Sequence, residues 1–122
     1  MDATIMVVED EPEIRELVAT SLAVEGFQVL CAEDGLDALS QLDTHPEVDL
    51  LFTDIVMPGD LHGFDLARRA RLIRPGIKLL YTSGFALAAA LSLTGPIEDA
   101  RLVRKPYRLN QLIREIRRTL DA

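Results

Sequence analysis

Short apolar runs alternate with stretches of helical periodicity along the whole sequence, and this alternation restricts the possible folds more than any other feature. Five runs are typical of strands, and they lie at residues 4–8, 27–31, 50–53, 77–81 and 102–104. Strands that are apolar at every position are buried on both faces, as in parallel sheets. Because parallel strands need crossover helices between them, we predict an α/β fold with helices on both faces of one sheet.

The segments between the runs carry signals for the start and the end of helices. Pro12 suits the first turn of a helix, and Gly26 suits its carboxyl end. Asp34 is a typical N-cap for the second helix, which His45 and Pro46 end. Five strands and five helices joined by right-handed crossovers predict a three-layer, flavodoxin-like parallel sheet with the strand order 2-1-3-4-5.

The composition indicates a globular protein of the cytoplasm. With 48% hydrophobic residues among 122, the chain can bury a core, and we expect residues 1–122 to form a single domain. The longest nearly uncharged stretch, at 84–97, is too short for a membrane span, and the N-terminus lacks the layout of a secretory signal. Cys31 is the only cysteine, so we expect a small buried residue in a reducing compartment.

The net charge of −7 is distributed unevenly along the sequence. Residues 1–60 carry 15 acids and a single base, Arg15, whereas residues 61–122 carry 12 bases and 5 acids. One sheet would interleave these halves, so we expect an acidic site at one edge and basic helices elsewhere. The acidic balance argues against a nucleic-acid partner, and the arginines of the last helix are better explained as a solvated face.

Polar residues stand where four of the predicted strands end. Glu9 and Asp10 follow the first run, Asp54 follows the third, Thr82 the fourth and Lys105 the fifth. Ligand sites of open α/β sheets lie beyond the carboxyl ends of the strands, and the predicted order makes the first and third strands neighbours. We therefore expect these side chains to gather at one edge of the sheet.

The three carboxylates at this edge favour a metal site. They would repel one another, and a hard divalent cation would remove that repulsion. Mg²⁺ (or Mn²⁺) suits the set, because Mg²⁺ binds a few carboxylate or carbonyl oxygens and keeps water and phosphate oxygens in the rest of its shell. Asp10 is the better direct ligand, with Glu9 bound directly or through water. Asp54 and the backbone carbonyl of Val56 complete the expected set.

Asp54 is also the candidate nucleophile, since an aspartate can accept a phosphoryl group to give an acyl phosphate. The cation and Lys105 would neutralise charge on the phosphoryl oxygens. Thr82 would donate a hydrogen bond that forms only when phosphate is present, which suits a switch. Taken singly, an acid or a lysine at a strand end is usually a solvated loop residue, and Thr82 could cap the following helix, so the hypothesis depends on the whole set.

With these motifs in place, the chain resembles the receiver domains of two-component response regulators, which share the fold of the chemotaxis regulators. The resemblance extends from about Thr4 to Leu120. It is carried by four motifs: VVEDEP at 7–12, DIVMPG at 54–59, TSG at 82–84 and KPY at 105–107. Together these motifs are specific to the family, although each alone is weak.

The resemblance implies a role for each site residue. Asp54 would be the phosphorylation site, Glu9 and Asp10 the Mg²⁺ acids, Thr82 the switch hydroxyl and Lys105 the phosphate contact. It also implies a cis peptide bond between Lys105 and the proline that follows it. The phosphoryl donor would be a phosphohistidine on a partner histidine kinase or histidine phosphotransfer protein. The domain would catalyse only its own phosphorylation and dephosphorylation, so it is not a conventional enzyme.

Three departures from the family pattern bear on function. Leu102 occupies the position of an aromatic residue that moves inward in many members, which favours output through the fourth helix or its flanking loops. The loop at 58–63 is one residue longer than the commonest form, and the first acid of the pair is Glu9 in place of aspartate. The fourth predicted helix, 85–93, carries no charge. We therefore expect an exposed apolar surface, and the surface from this helix to the fifth one is a candidate interface for a homodimer or a target protein.

Several alternatives remain open within and outside this family. The chain is either a stand-alone regulator or an excised receiver of a hybrid histidine kinase, or else a receiver-like interaction module without phosphoryl turnover. An aspartate-nucleophile phosphatase of the haloacid-dehalogenase type would need a second acid where Val56 stands. A flavin or nucleotide carrier would need a phosphate loop where Glu9 is followed by two further acids, Asp10 and Glu11, which would repel phosphate.

Overall fold

A computed structural model describes residues 3–56, 63–83 and 101–122. Its five strands form one parallel sheet in the order β2-β1-β3-β4-β5, which confirms the predicted topology. The strands are β1 (Thr4–Val8), β2 (Gln28–Ala32), β3 (Val48–Asp54), β4 (Lys78–Ser83) and β5 (Arg101–Arg104). The helices are α1 (Pro12–Val24), α2 (Gly35–Thr44), α3 (Gly63–Ile73) and α4 (Leu109–Asp121). The fourth predicted helix and most of the 58–63 loop lie outside the described residues.

Two apolar cores lie on the two faces of the sheet, as the three-layer prediction requires. One core packs the sheet against α2 and α3, through Ala38, Leu42, Leu66 and Ala70. The other core packs the sheet against α1 and α4, and its members include the following buried residues: Val7, Val18, Leu22, Phe52, Leu80, Val103, Leu112 and Ile116. Because successive side chains along a strand point to opposite faces, each continuous apolar run supplies both cores.

The helix signals read from the sequence are confirmed by the local geometry. Pro12 is the first residue of α1, where its missing N–H leaves no helical hydrogen bond unmade. Gly26 follows α1 with a φ of 100°, a left-handed conformation that favours glycine. Asp34 caps α2, because its Oδ1 accepts a hydrogen bond from the Asp37 N–H at 2.8 Å. Pro12 and Asp34 therefore fix where the loops that follow β1 and β2 end.

The expectation that Cys31 is buried is wrong. The residue is exposed, because β2 is an edge strand that is covered less completely than the central strands. Partial desolvation raises the pKa of the thiol against the opposing effect of the Arg15 guanidinium, so the neutral thiol is favoured. Among the described residues, no helix has the length and apolar character needed to cross a membrane.

Candidate functional site

The predicted site residues continue one face of the sheet beyond its apolar core. Residues two apart on a strand share a face, and four polar residues each stand two positions after a member of the core between the sheet, α1 and α4. The pairs are Val7 and Glu9, Phe52 and Asp54, Leu80 and Thr82, and Val103 and Lys105. The β3–β4 register also places Asp54 directly beside Thr82. Strand alternation therefore carries these four residues to the same edge and the same side.

Asp54 and Lys105 form the centre of the site. The Lys105 Nζ lies 2.5 Å from Asp54 Oδ2 and 3.9 Å from Glu9 Oε1. The other carboxylate oxygen of Asp54 accepts a hydrogen bond from the Val56 N–H at 3.2 Å. Asp54 is 7% exposed and Glu9 is 5% exposed, so two acids share one ammonium at a largely buried position. The peptide bond that follows Lys105 is cis, as the resemblance implies.

The electrostatics of the site shift the pKa values of Glu9 and Lys105. Burial raises the pKa of Glu9, and so does a hydrogen bond with the Asp10 side chain, while the Glu11 N–H and Lys105 oppose the rise. Burial alone would lower the pKa of Lys105, but the hydrogen bond and negative charge of Asp54, together with Glu9, outweigh it and raise that pKa. The ammonium is therefore the charge that holds the acids together at this edge.

Asp10 stands at the rim of the site. Its side chain is exposed, and its proximity to Glu9 is one of the causes that raise the pKa of Glu9. Within residues 3–56, 63–83 and 101–122, no three acidic, histidine or cysteine side chains come close enough together to share a metal ion. The chemistry of the donor set nevertheless fits a hard cation, because Glu9 and Asp10 are neighbouring carboxylates and a divalent cation would offset their repulsion.

Thr82 is buried inside the end of β4, and the helix that it could cap lies outside the described residues. It is 2% exposed, and its Oγ1 has no hydrogen-bond partner within the described part of the chain. A buried hydroxyl without a hydrogen-bond partner costs free energy, so a hydrogen bond from it to a ligand oxygen at this edge would be favourable. The position beside Asp54 makes Thr82 the expected donor.

Three residues at the site were given no functional role in the sequence analysis. The Arg15 Nη1 donates to the Glu9 carbonyl at 2.7 Å, and Gly63 at the start of α3 packs directly on the Asp54 backbone. The Tyr107 ring packs edge-on against Phe52, with ring centroids 6.1 Å apart. Arg15 carried a signal that could have found it, since it is the single base among residues 1–60. The sequence signals of Gly63 and Tyr107 are only local, because Gly63 ends the loop at 58–63 and Tyr107 belongs to the KPY motif.

The neighbourhood of Leu102 contains an aromatic ring from the adjacent strand. Tyr81 pairs with Leu102 in the β4–β5 register, and both side chains belong to the core against α2 and α3. The Tyr81 ring is 2% exposed and packs edge-on against Phe64, with centroids 5.1 Å apart. An aromatic ring is therefore present on this part of the sheet, but β4 supplies it.

The fold and the site together define a class of protein: a five-stranded parallel α/β sheet with an acid–lysine centre at the carboxyl ends of β1, β3 and β5. Residues 5–117 match the model of the response regulator receiver domain. The response regulator receiver protein CpdR of Brucella abortus is 36% identical over 118 residues, which are 97% of each chain. The chain belongs to the response regulator receiver family.

Two further relatives support the same assignment. The sensor kinase CckA of Brucella abortus is 32% identical over 120 residues, which cover 98% of this chain but only 13% of the kinase. The crystal structure of a response regulator receiver protein from Sinorhizobium medicae has a TM-score of 0.88 at 30% identity, covering 99% of this chain and 96% of that one. Receiver sequences similar to this one therefore occur both as nearly whole proteins and as small parts of a kinase.

Proposed function

We propose that this chain is a phosphorylation switch that takes a phosphoryl group from a partner phosphohistidine onto Asp54. The partner would be a histidine kinase or a histidine phosphotransfer protein. One observation carries the proposal: a buried aspartate is held between the Lys105 ammonium at 2.5 Å and the Val56 N–H at 3.2 Å. Contacts to both oxygens fix the direction of the carboxylate, and such positioning is a large part of catalysis in phosphoryl transfer.

The proposed reaction is a displacement at phosphorus. An Asp54 oxygen forms the new bond to phosphorus, and the bond from phosphorus to the partner's imidazole nitrogen breaks. The imidazole carries a proton on its other nitrogen, so it leaves as a neutral ring with that electron pair. The product is an acyl phosphate, which water later hydrolyses. The Lys105 ammonium already lies beside Asp54 and Glu9, so it stays next to the charge that moves onto the phosphoryl oxygens.

Glu9, Asp10, Asp54 and the Val56 carbonyl would hold the cation, for which we propose Mg²⁺ or Mn²⁺. When bound, such a cation supplies positive charge that stabilises the phosphoryl oxygens. The burial of Glu9 and its proximity to Asp10 both raise the pKa of Glu9, and they support this assignment because a cation would stabilise the ionised acids. The predicted output surface, from residues 85–93 to α4, lies partly outside the described residues, and its support comes from the sequence.

Thr82 would report the modification. Its Oγ1 lacks a partner in the described residues, and it would donate to a phosphoryl oxygen on Asp54, which is its neighbour in the β3–β4 register. Forming this bond would satisfy a buried hydroxyl, which favours the phosphorylated arrangement of β4. Replacing Thr82 by alanine should leave phosphorylation of Asp54 possible and remove this response.

The test is to incubate the protein with Mg²⁺ and a small acyl phosphate and to measure its intact mass. A single phosphoryl adduct is expected, and it should be absent from Asp54→Asn and from samples treated with a chelator. Asp65→Asn is the matched control, because Asp65 is an exposed acid of α3 paired with Arg68, and this variant should form the adduct normally. An intact fold without any adduct at saturating donor would refute the proposal and favour a pure interaction module.

A further inference from the structure

We propose that Arg15 is a positioning residue that sets the directions of the Glu9 and Asp10 side chains. The inference depends on the proposed function, since those two acids are the expected metal ligands. It concerns how the chain holds them before any cation arrives. The single base of the acidic half of the sequence is placed at the turn that carries both acids.

The sheet and Arg15 hold Glu9 from its two sides. The Glu9 N–H donates to the Ala32 carbonyl at 3.1 Å, which extends the pairing of β1 with β2 by one residue. The Glu9 carbonyl lies past the end of β1, and it accepts from the Arg15 Nη1 at 2.7 Å. That distance is typical of a strong hydrogen bond from a charged donor. Arg15 is itself in the first turns of α1, so the contact ties the turn to a rigid helix.

The held group is the peptide unit that joins the two acids. The carbonyl of Glu9 and the N–H of Asp10 lie in one plane, so fixing the oxygen fixes the orientation of the whole unit. Rotation of this plane would change the directions in which the Glu9 and Asp10 side chains leave the backbone. The Glu11 N–H donates to Glu9 Oε2 at 3.2 Å, which shows that the same turn also orients the carboxylate.

Arg74 offers a matched control for this kind of contact. Its guanidinium donates to the His45 carbonyl at 3.0 Å and to the Leu42 carbonyl at 2.8 Å, where α2 ends. These carbonyls precede β3, so they lie at the opposite edge of the sheet from Asp54. If Arg15 had only a structural role, replacing Arg15 or Arg74 would lower the stability of the protein by similar amounts, and neither replacement would change metal binding.

The first measurement uses the protein with no added metal. Amide hydrogen exchange by NMR follows the N–H groups of Glu9 and Glu11. The Glu9 N–H donates to the Ala32 carbonyl, and the Glu11 N–H donates to Glu9 Oε2. We expect both amides to exchange about tenfold faster in Arg15→Gln, because the loosened turn opens more often. Arg74→Gln should leave both rates unchanged, even where it lowers global stability. Arg15→Lys keeps the charge and serves in place of Arg15→Gln if that variant does not fold.

The second measurement is the Kd of Mg²⁺, and of Mn²⁺, by isothermal titration calorimetry. Loss of a group that orients metal ligands typically weakens affinity by about 10–100-fold, so Arg15→Gln should lie in that range and Arg74→Gln should match the wild type. Unchanged exchange at Glu9 and Glu11, or an unchanged Kd in Arg15→Gln, would overturn the role of Arg15. A wild type that binds neither ion would instead refute the proposed function, while the exchange rates would still decide whether Arg15 orders the turn.

Discussion

Replacing Gly63 by alanine would test the close packing of α3 on the strand that carries the phosphoacceptor. A Cβ at this position would lie 2.5 Å from the Asp54 carbonyl oxygen and 2.8 Å from the Ile55 Cα. Ordinary van der Waals contacts begin at 3.4 Å, so the 2.5 Å distance from this Cβ to the Asp54 carbonyl oxygen has to grow by about 0.9 Å. Both contacted atoms belong to the backbone and cannot turn aside as a side chain would.

The expected loss of stability follows from these contacts. Overpacking of a well-packed site costs about 1–3 kcal/mol. The displacement also weakens the hydrogen bond from the Gly63 N–H to the Ile55 carbonyl, now 2.9 Å long, which contributes about 1 kcal/mol. Alanine recovers roughly 0.4–1 kcal/mol through the lower entropy of its unfolded chain. The net loss is then about 1–4 kcal/mol, which for 122 residues corresponds to a Tm lower by roughly 4–16 °C.

The assay is urea unfolding followed by circular dichroism, with Gly76→Ala as the matched control. A Cβ at Gly76 would meet no atom within 4 Å, so that variant should be unchanged or more stable by up to about 1 kcal/mol. Phosphorylation of Gly63→Ala should also be slower, by up to about a hundredfold, because a displacement near 1 Å at Asp54 disturbs the reacting geometry. Equal free energies of unfolding for the wild type and Gly63→Ala would refute the packing argument.

Two further predictions concern charge. Lys105→Met should lower the free energy of unfolding by about 1–2 kcal/mol at pH 7, between the values for exposed and buried pairs, because the Lys105 side chain is 34% exposed. The raised pKa of Lys105 means that this contribution is complete below the ordinary value of 10.5 and is lost as pH rises through the folded value. The control is Lys78→Met, because Lys78 begins β4 and its Nζ donates to the Ala122 backbone oxygen, away from Asp54 and Glu9. Glu9→Gln should be more stable than the wild type at pH 7, because the raised pKa of Glu9 means that its ionisation above the ordinary value of 4.5 opposes folding. Urea midpoints from pH 4 to 11 check both, and a constant difference between variant and wild type across that range would contradict them.

The fold could be predicted because its signals are local and repeated. Each strand reads as an apolar run, and caps such as Pro12, Gly26 and Asp34 act within a few residues of their own positions. The meeting of Asp54 with Lys105 followed from topology, since parallel strands bring their carboxyl ends to one edge. Alternation then places both side chains on the same face.

The contacts that the sequence did not predict join distant or irregular segments. The exposure of Cys31 depends on how fully α1 covers the edge strand β2, and no pattern within the strand records that. Arg15 contacts a backbone carbonyl, which every residue has, so the identity of Glu9 gives no hint of it. The close approach of Gly63 depends on the path of the chain between β3 and α3.

Leu102 shows why comparison of single positions is incomplete for a sheet. The missing aromatic at that position favoured output through the fourth predicted helix or its flanking loops. A face of a parallel sheet is filled jointly by neighbouring strands, however, and the residue paired with Leu102 is Tyr81. The Tyr81 ring is buried against Phe64 in α3, and Leu102 packs into the same core. Because Tyr81 directly precedes Thr82, the ring is attached to the strand that carries the proposed phosphate contact. Any interpretation of Leu102 therefore has to treat the pair as one packing unit.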